Sequence, residues 1–240
     1  MDIKEEDILG ASIKTHWYYV SKGLAVRAMI GDQPVGQTLD VGAGSGVFTR
    51  QLIDCGLSSG GVCVDPYYPR EHTESYGGSE ISFVHTVDSV PQRLVLMMDV
   101  LEHVDDDVGM LREYVDKMTS GSRVLITVPA FQFLWSGHDV FLEHKRRYTL
   151  QQISDVAAAA GLQVSQQRYF FGLLFPVAAL LRLFDRLRVA AGQVEAKSHL
   201  KAASGFTNSG LIRIHDVERK TLFPINRLCG LSAFCLATKP

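Results

Sequence analysis

The stretch TLDVGAGSGVFTRQL, Thr38–Leu52, sets three glycines, Gly42, Gly44 and Gly46, between an apolar run and a segment with helical spacing. A loop that follows a strand and opens a helix turns unpaired backbone N–H groups and the positive end of the helix dipole toward a ligand. Glycine lets that ligand approach the main chain closely. The loop is therefore expected to be a binding turn.

Outward from the loop, strands and helices alternate. Residues 37–42, 61–66, 81–86, 93–100, 122–129 and 161–171 are short and apolar or β-branched, and LSAFCLAT (231–238) supplies a last strand. Helical patterns cover 47–55, 108–118 and 150–160, with Leu111, Val115 and Met118 on one face. Near-continuous apolar strands separated by helices require a sheet covered on both faces. The expected class is α/β, a Rossmann-like doubly wound sheet, mostly parallel with a final antiparallel strand. YYPREHTESYGGSE (67–80) is polar and contains a glycine pair, so the crossover there is expected to be short or partly a loop.

The second strand ends at Asp65, 21 residues after Gly44, where a carboxylate can accept hydrogen bonds from both hydroxyls of a ribose. The dinucleotide fingerprint asks for a third glycine where this chain has Val47, which weakens an NAD reading.

The whole chain sets wider limits. Its 240 residues, 46% hydrophobic, suffice for one large domain, here taken as 1–240. The formal charge of −2 supplies no basic field for nucleic acid or an anionic bilayer, so a nucleic-acid partner is not expected. Cys55, Cys63, Cys229 and Cys235 form no C-x-x-C pair, which fits a reducing compartment. MDIKEEDILG is acidic and has no signal-peptide core, so the expected location is cytoplasmic.

LDVGAGSG, VDP, MMDVLEHVDDD and VLITVPA, in that order, resemble the cofactor half of class I S-adenosylmethionine-dependent methyltransferases over residues 38–129. HWYY (16–19), LWSGHDVFLEHKRRYTLQQI (134–153) and GLSAFCLATKP (230–240) are similar to a bacterial type 11/23-like subgroup associated with cell-surface polysaccharide or lipid-linked sugar biosynthesis. Those relatives tend to carry a basic residue soon after the aromatic pair; here Val20 stands there and Lys22 is the nearest cation.

The resemblance implies that Asp40, Gly42, Ala43, Gly44, Ser45 and Gly46 shape the site for the methionine part of S-adenosylmethionine, and that Asp65 holds the ribose. Pro66 and Tyr67 follow where an adenine would lie, Thr86, Val87 and Asp88 sit toward its amino group, and Met98, Asp99 and Leu101 complete the cofactor set. Asp105, Asp106 and Asp107 are expected to cap the next helix.

Methyl transfer from a sulfonium is an in-line displacement, so alignment and exclusion of water dominate, and a hydroxyl acceptor benefits from a base. His103, His138 and His144 are the expected bases, with Asp139 and Glu143 nearby, all after strands whose carboxyl ends carry the site in open α/β sheets. GHDVFLEHKRRYT (137–149) is too polar for a core segment, so Asp139, Arg146, Arg147 and Tyr148 are expected to bind substrate, with Lys145 beside them for an anionic group. No metal is expected. The alternative is Mg²⁺ or Mn²⁺ on Glu102, His103 and His144, because Asp99-x-x-Glu102-His103 with a later histidine is similar to the metal set of small-RNA 2′-O-methyltransferases.

Residues 1–36 are expected to form a helical cap, with THWYYVSKG (15–23) as a lid over the cofactor. Residues 172–228 are expected to form an inserted helical subdomain on the substrate side, with a mobile loop or lid over 191–210. FFGLLFPVAALLRLFDRLRV (170–189), interrupted by Pro176 and carrying Arg182, Arg186 and Arg188, leaves open a core or dimer helix, an acyl or polyprenyl pocket, and an interfacial helix. The expected activity is O-methylation of a small-molecule or lipid-linked sugar acceptor, with S-adenosylhomocysteine as product, by a monomer or homodimer. The rival from another class is an NAD- or nucleotide-sugar-binding oxidoreductase, which asks for a third glycine and a Tyr-x-x-x-Lys pair.

Overall fold

The computed structural model describes residues 10–189 and 205–240. The first nine residues of the expected cap and most of the expected lid over 191–210 lie outside them. The strands are β1 (Gly36–Val41), β2 (Ser58–Val64), β3 (His72–Tyr76), β4 (Ser79–Val84), β5 (Leu94–Met98), β6 (Arg123–Pro129), β7 (Gln163–Phe170) and β8 (Ser232–Thr238). The helices are α1 (Trp17–Ile30), α2 (Val47–Asp54), α3 (Asp107–Lys117), α4 (Gly137–Phe141), α5 (Leu150–Ala159), α6 (Phe175–Val189) and α7 (Gly205–Thr221).

One eight-stranded sheet runs β3-β4-β2-β1-β5-β6-β8-β7. β1 pairs in parallel with both β2 and β5, and β5 in parallel with β6. β8 inserts antiparallel between β6 and β7, as expected of the final strand. Strand order reverses between β1 and β5, and the carboxyl ends there open the crevice in which such sheets bind ligands.

Alternation along the strands builds two core layers. From β5, Val95 and Met97 pack with Leu111 and Val115 of α3 and Ile153 and Ala157 of α5. Leu94, Leu96 and Met98 pack on the other face with Val26 and Met29 of α1 and Phe48 and Leu52 of α2. Every residue of β5 is buried, as a central strand covered on both faces requires.

The segment between β2 and β4 departs from the expected short crossover. It forms β3, an antiparallel edge strand closed onto β4 by Gly77 and Gly78 at φ 58° and 82°. Positive φ at both central residues is the two-residue hairpin geometry that twists with its strands. The strand is polar because an edge strand has one open side, and its residues are exposed or half-buried.

The described parts of the long excursion before β8 are largely helical, α6 and α7. α7 packs along α1: the Trp17 amide donates to Asn208 Oδ1 (2.7 Å), Asn208 Nδ2 donates to the Thr15 carbonyl (2.8 Å), and His215 stacks on Trp17 at 5.5 Å. His215 and Glu218 form a buried pair (2.9 Å), and the other Glu218 oxygen accepts from the Gly172 amide. Val177, Leu180 and Leu181 of α6 are more than half exposed, so the described part of that helix is not a core helix. No helix among the described residues is long and apolar enough to cross a membrane. All four cysteines are free thiols.

Candidate functional site

The glycine loop stands at the carboxyl end of β1. Gly42, Gly44 and Gly46 all have left-handed backbones, at φ 64°, 51° and 68°. A Cβ on Gly46 would lie 3.0 Å from Cys63 Sγ and 3.3 Å from the Phe83 ring, so that position is closed to larger residues. The loop is braced by the Gly42 amide donating to the Val64 carbonyl (2.7 Å) and the Gly46 amide to the Ala43 carbonyl (2.9 Å). Arg50 reaches the Ser45 carbonyl and pairs with Glu74 (2.6 Å). Ser45 Oγ is buried with no hydrogen-bond partner.

Three carboxylates stand at or just beyond the carboxyl ends of the neighbouring strands β1, β2 and β5, and one of them, Asp65, touches the loop. Asp40, within β1, is buried and accepts from Thr49 Oγ1 (2.9 Å), while its Oδ1 has no partner. Burial pushes its carboxyl up to about 6. Asp65, after β2, is buried and accepts from the Gly44 amide (3.4 Å) and the Tyr67 amide (3.0 Å). Asp99, after β5, has a left-handed backbone (φ 55°) and accepts from Thr127 Oγ1 (3.2 Å) and Tyr18 OH (3.1 Å). It also pairs with the wholly buried Lys22 ammonium. Burial would raise the Asp99 carboxyl, but Lys22 outweighs it and holds the group below the usual range.

The segment expected as a lid thus meets Asp99 through Tyr18 and Lys22, the cation nearest to the aromatic pair. Tyr68, not Tyr67, covers the loop: its OH donates to the Gly44 carbonyl (2.8 Å), whereas Tyr67 is 80% exposed. Sequence reading passed over Tyr68 because adjacent tyrosines in a loop carry no periodicity to tell them apart. Pro66, Thr86 and Asp88 are exposed. Val87 is half-buried, and its carbonyl accepts from Lys117 Nζ (2.9 Å). Met98 and Leu101 are buried in the two core layers, and Ala43, within the loop, is buried against Cys63, Ile81 and Phe83.

Beyond Asp99, the segments after β5 and β6 are zipped together. The Lys145 amide donates to the Glu102 carbonyl (2.6 Å), and Arg146 reaches Asp107 Oδ2 (3.2 Å) and the Asp105 carbonyl (2.7 Å). Asp106 caps α3, accepting from the Gly109 amide (2.8 Å), as its position suggested. Asp107 instead turns inward to accept from Tyr148 OH (2.7 Å).

Three of the four residues expected to bind substrate are turned into the protein. Arg147 is buried with Nε and Nη2 on the two oxygens of Asp139 (2.6 and 3.0 Å), and its Nη1 donates to the Ala130 carbonyl. Asp139, wholly buried, also accepts from the Ser136 amide (2.8 Å) and pairs with His144 Nδ1 (2.9 Å). Burial raises its carboxyl, yet His144 and Arg147 outweigh it and hold it far below the usual range. Tyr148 is buried, donating to Asp107 and the Leu101 carbonyl. A dense polar stretch reads as surface in sequence, but here its charges neutralise one another inside the fold. Arg146 alone of the four is half-exposed.

Of the expected bases, His103 and His144 meet edge to face at 4.8 Å, and Glu102 joins them. His138 stands half-buried on α4, outside that cluster. Burial and the neighbouring His144 push His103 down to about 3, so its imidazole is neutral. Burial, then the Asp99 charge, raise the Glu102 carboxyl well above the usual range.

No protein-family model and no curated sequence matches the chain. Its fold matches solved structures across nearly its whole length. A Haloferax volcanii protein described as a methyltransferase, solved with the Trm112 methyltransferase activator, superposes with a TM-score of 0.56 at 15% identity, covering 95% of this chain and 92% of the other. A SAM-dependent methyltransferase from Archaeoglobus fulgidus gives 0.52 at 16% identity, covering 98% and 97%. Phosphoethanolamine N-methyltransferase 2 of Haemonchus contortus, solved with S-adenosyl-L-methionine, gives 0.52 at 17%, covering 91% of this chain and 52% of the other. The fold is that of the class I methyltransferases.

Proposed function

We propose that this class I methyltransferase fold carries the matching activity: transfer of a methyl group from S-adenosylmethionine to a hydroxyl oxygen of a small acceptor, a sugar or lipid-linked intermediate. One observation carries the reading. Asp40, Asp65 and Asp99 stand at or near the carboxyl ends of three adjacent strands, and Asp65 touches the left-handed glycine loop there. Buried carboxylates suit a cationic nucleoside and oppose the pyrophosphate of a dinucleotide, since like charges in a desolvated site repel strongly.

The residues present fit that cofactor. Asp65 accepts two backbone N–H groups, and a carboxylate has about four lone-pair sites, so room remains for two ribose hydroxyls. Asp40 Oδ1 and Ser45 Oγ are buried polar atoms awaiting partners. Asp99 and Lys22 offer opposite charges side by side, a match for an amino-acid zwitterion. Pro66, Thr86, Val87 and Asp88 form the adenine rim in this reading, with Tyr68 beside them. When bound, the cofactor supplies a methyl group on a sulfonium whose sulfur is already a good leaving group. In this reading Tyr18 and Lys22, which meet Asp99 from α1, would keep water from the reacting atoms, with the buried Met98 and Leu101 behind them. His103 and His144, which meet each other beyond Asp99, are the candidates to face the acceptor hydroxyl in this reading, with His138 and Arg146 as further candidates on that side. The exposed Val177, Leu180 and Leu181 of α6 would suit the lipid portion of a lipid-linked acceptor.

Calorimetric titration of the full chain with S-adenosylmethionine, S-adenosylhomocysteine and NAD, for wild type and Asp65→Ala, tests the reading. Micromolar binding of the first two, weakened at least tenfold in the variant, is expected. Binding of NAD alone, or of none of the three, would sink it.

A further inference from the structure

The acceptor end of the site holds a cluster that cofactor binding does not use. Glu102 is wholly buried, and neither carboxylate oxygen has a hydrogen-bond partner among the described residues. A buried carboxyl left unpaired is costly, and native folds satisfy such groups. Asp99 and Lys22 lie near it on the cofactor side, and His103 and His144 stand beside it, with one ligand atom from each of the three within 4.8 Å of the others. Behind them, Asp139 Oδ1 sits 2.9 Å from His144 Nδ1, and Asp139 is itself fastened by Ser136 and Arg147. A proton on Nδ1 leaves the Nε2 lone pair outward. A carboxylate holding the far nitrogen of an imidazole is the outer shell that metal-bound histidines carry.

We propose that Glu102, His103 and His144 bind one divalent first-row transition-metal ion, with a coordination position left open toward the acceptor. Two imidazoles and one carboxylate favour Mn²⁺, Fe²⁺, Co²⁺ or Zn²⁺ over Mg²⁺ and Ca²⁺, which take all-oxygen sets. Ligand atoms about 2.1 Å from a tetrahedral ion lie roughly 3.4 Å apart, so the side chains close by about 1.4 Å or less from their present spread. His103 ends a single 3-10 turn, Leu101–His103, and is half-buried, so it has room to move. Three protein ligands leave the fourth position for an acceptor hydroxyl, whose pKa the ion lowers. The hydroxyl proton leaves to water, the oxygen lone pair forms the C–O bond to the methyl carbon, and the C–S bond breaks with its electron pair going to sulfur. That role for the ion rests on the methyltransferase reading; its binding does not.

The test is calorimetric titration of chelator-stripped full-length protein with MnCl₂ and ZnCl₂, for wild type, Glu102→Gln and His144→Ala. Thermal unfolding without metal confirms that each variant is folded, and the near-isosteric Glu102→Gln keeps the test open if His144→Ala is not. One ion per chain is expected, weakened at least tenfold in each folded variant. Absence of binding at millimolar metal would overturn the proposal and leave Glu102 a buried neutral acid. Equal affinity in wild type and Glu102→Gln would overturn it as well, by placing the ion elsewhere. S-adenosylmethionine titrated into the same metal-free protein separates the two readings: cofactor binding without metal binding fails the ion alone, and the converse fails the cofactor alone.

Discussion

Lys22 and Asp99, 77 residues apart, form an ion pair at the carboxyl edge of the sheet, with the ammonium wholly buried on α1 and the carboxylate on the left-handed residue after β5. The contact ties the N-terminal helix to the site. Removing one partner strands the other in a desolvated pocket, a loss of about 3–5 kcal/mol. Lys22→Met is therefore expected to lower the thermal midpoint by several degrees and to weaken S-adenosylmethionine binding. The double variant Lys22→Met/Asp99→Asn should recover much of the stability but not the affinity. Additive losses in the thermal scans would contradict the pairing.

Asp40 gives a pH dependence with a defined sign. Its folded pKa, about 6, lies above the unfolded value of 3.8, so its contribution is fully present below about pH 4 and is lost as pH rises through 6. The loss is about 3 kcal/mol for a wholly buried group. Asp40→Asn should be more stable than wild type at pH 7.5, and the gap should vanish near pH 4. Denaturant melts at both values decide it; a gap independent of pH would exclude an ionised Asp40 as the cause.

Asp139 behaves in the opposite sense. Held below its usual range by His144 and Arg147, it stabilises the fold above about pH 4, and the contribution is lost as pH falls toward its depressed folded value. Asp139→Asn leaves Arg147 buried without its counter-ion and should cost about 3–5 kcal/mol at pH 7. The difference from wild type should shrink in urea melts taken below pH 4.

Gly46→Ala tests the loop itself. A left-handed alanine costs about 1–2 kcal/mol, and its Cβ would press on Cys63 and Phe83. Gly31→Ala shares the positive φ, at 86°, but meets open space. Both should lose stability in thermal scans, and only Gly46→Ala should also lose S-adenosylmethionine affinity in calorimetry.

The sequence by itself determined the parallel sheet, the glycine turn and the positions of Asp40, Asp65 and Asp99, because each is written in local terms: strand periodicity, glycine at left-handed positions, and spacing between strand ends. It also put His103 and His144 after β5 and β6, where the structure brings the two rings together. Only the tertiary structure decided which charges face the site and which face each other. Lys22 reaches Asp99 across the fold, Tyr68 rather than Tyr67 covers the loop, and Arg147 turns inward to Asp139. The glycine pair at 77–78 closes a hairpin because β4 lies alongside to receive it. Pairing of this kind depends on which segments the sheet brings together, and a polar residue in sequence carries no record of whether its partner will be water or another buried charge.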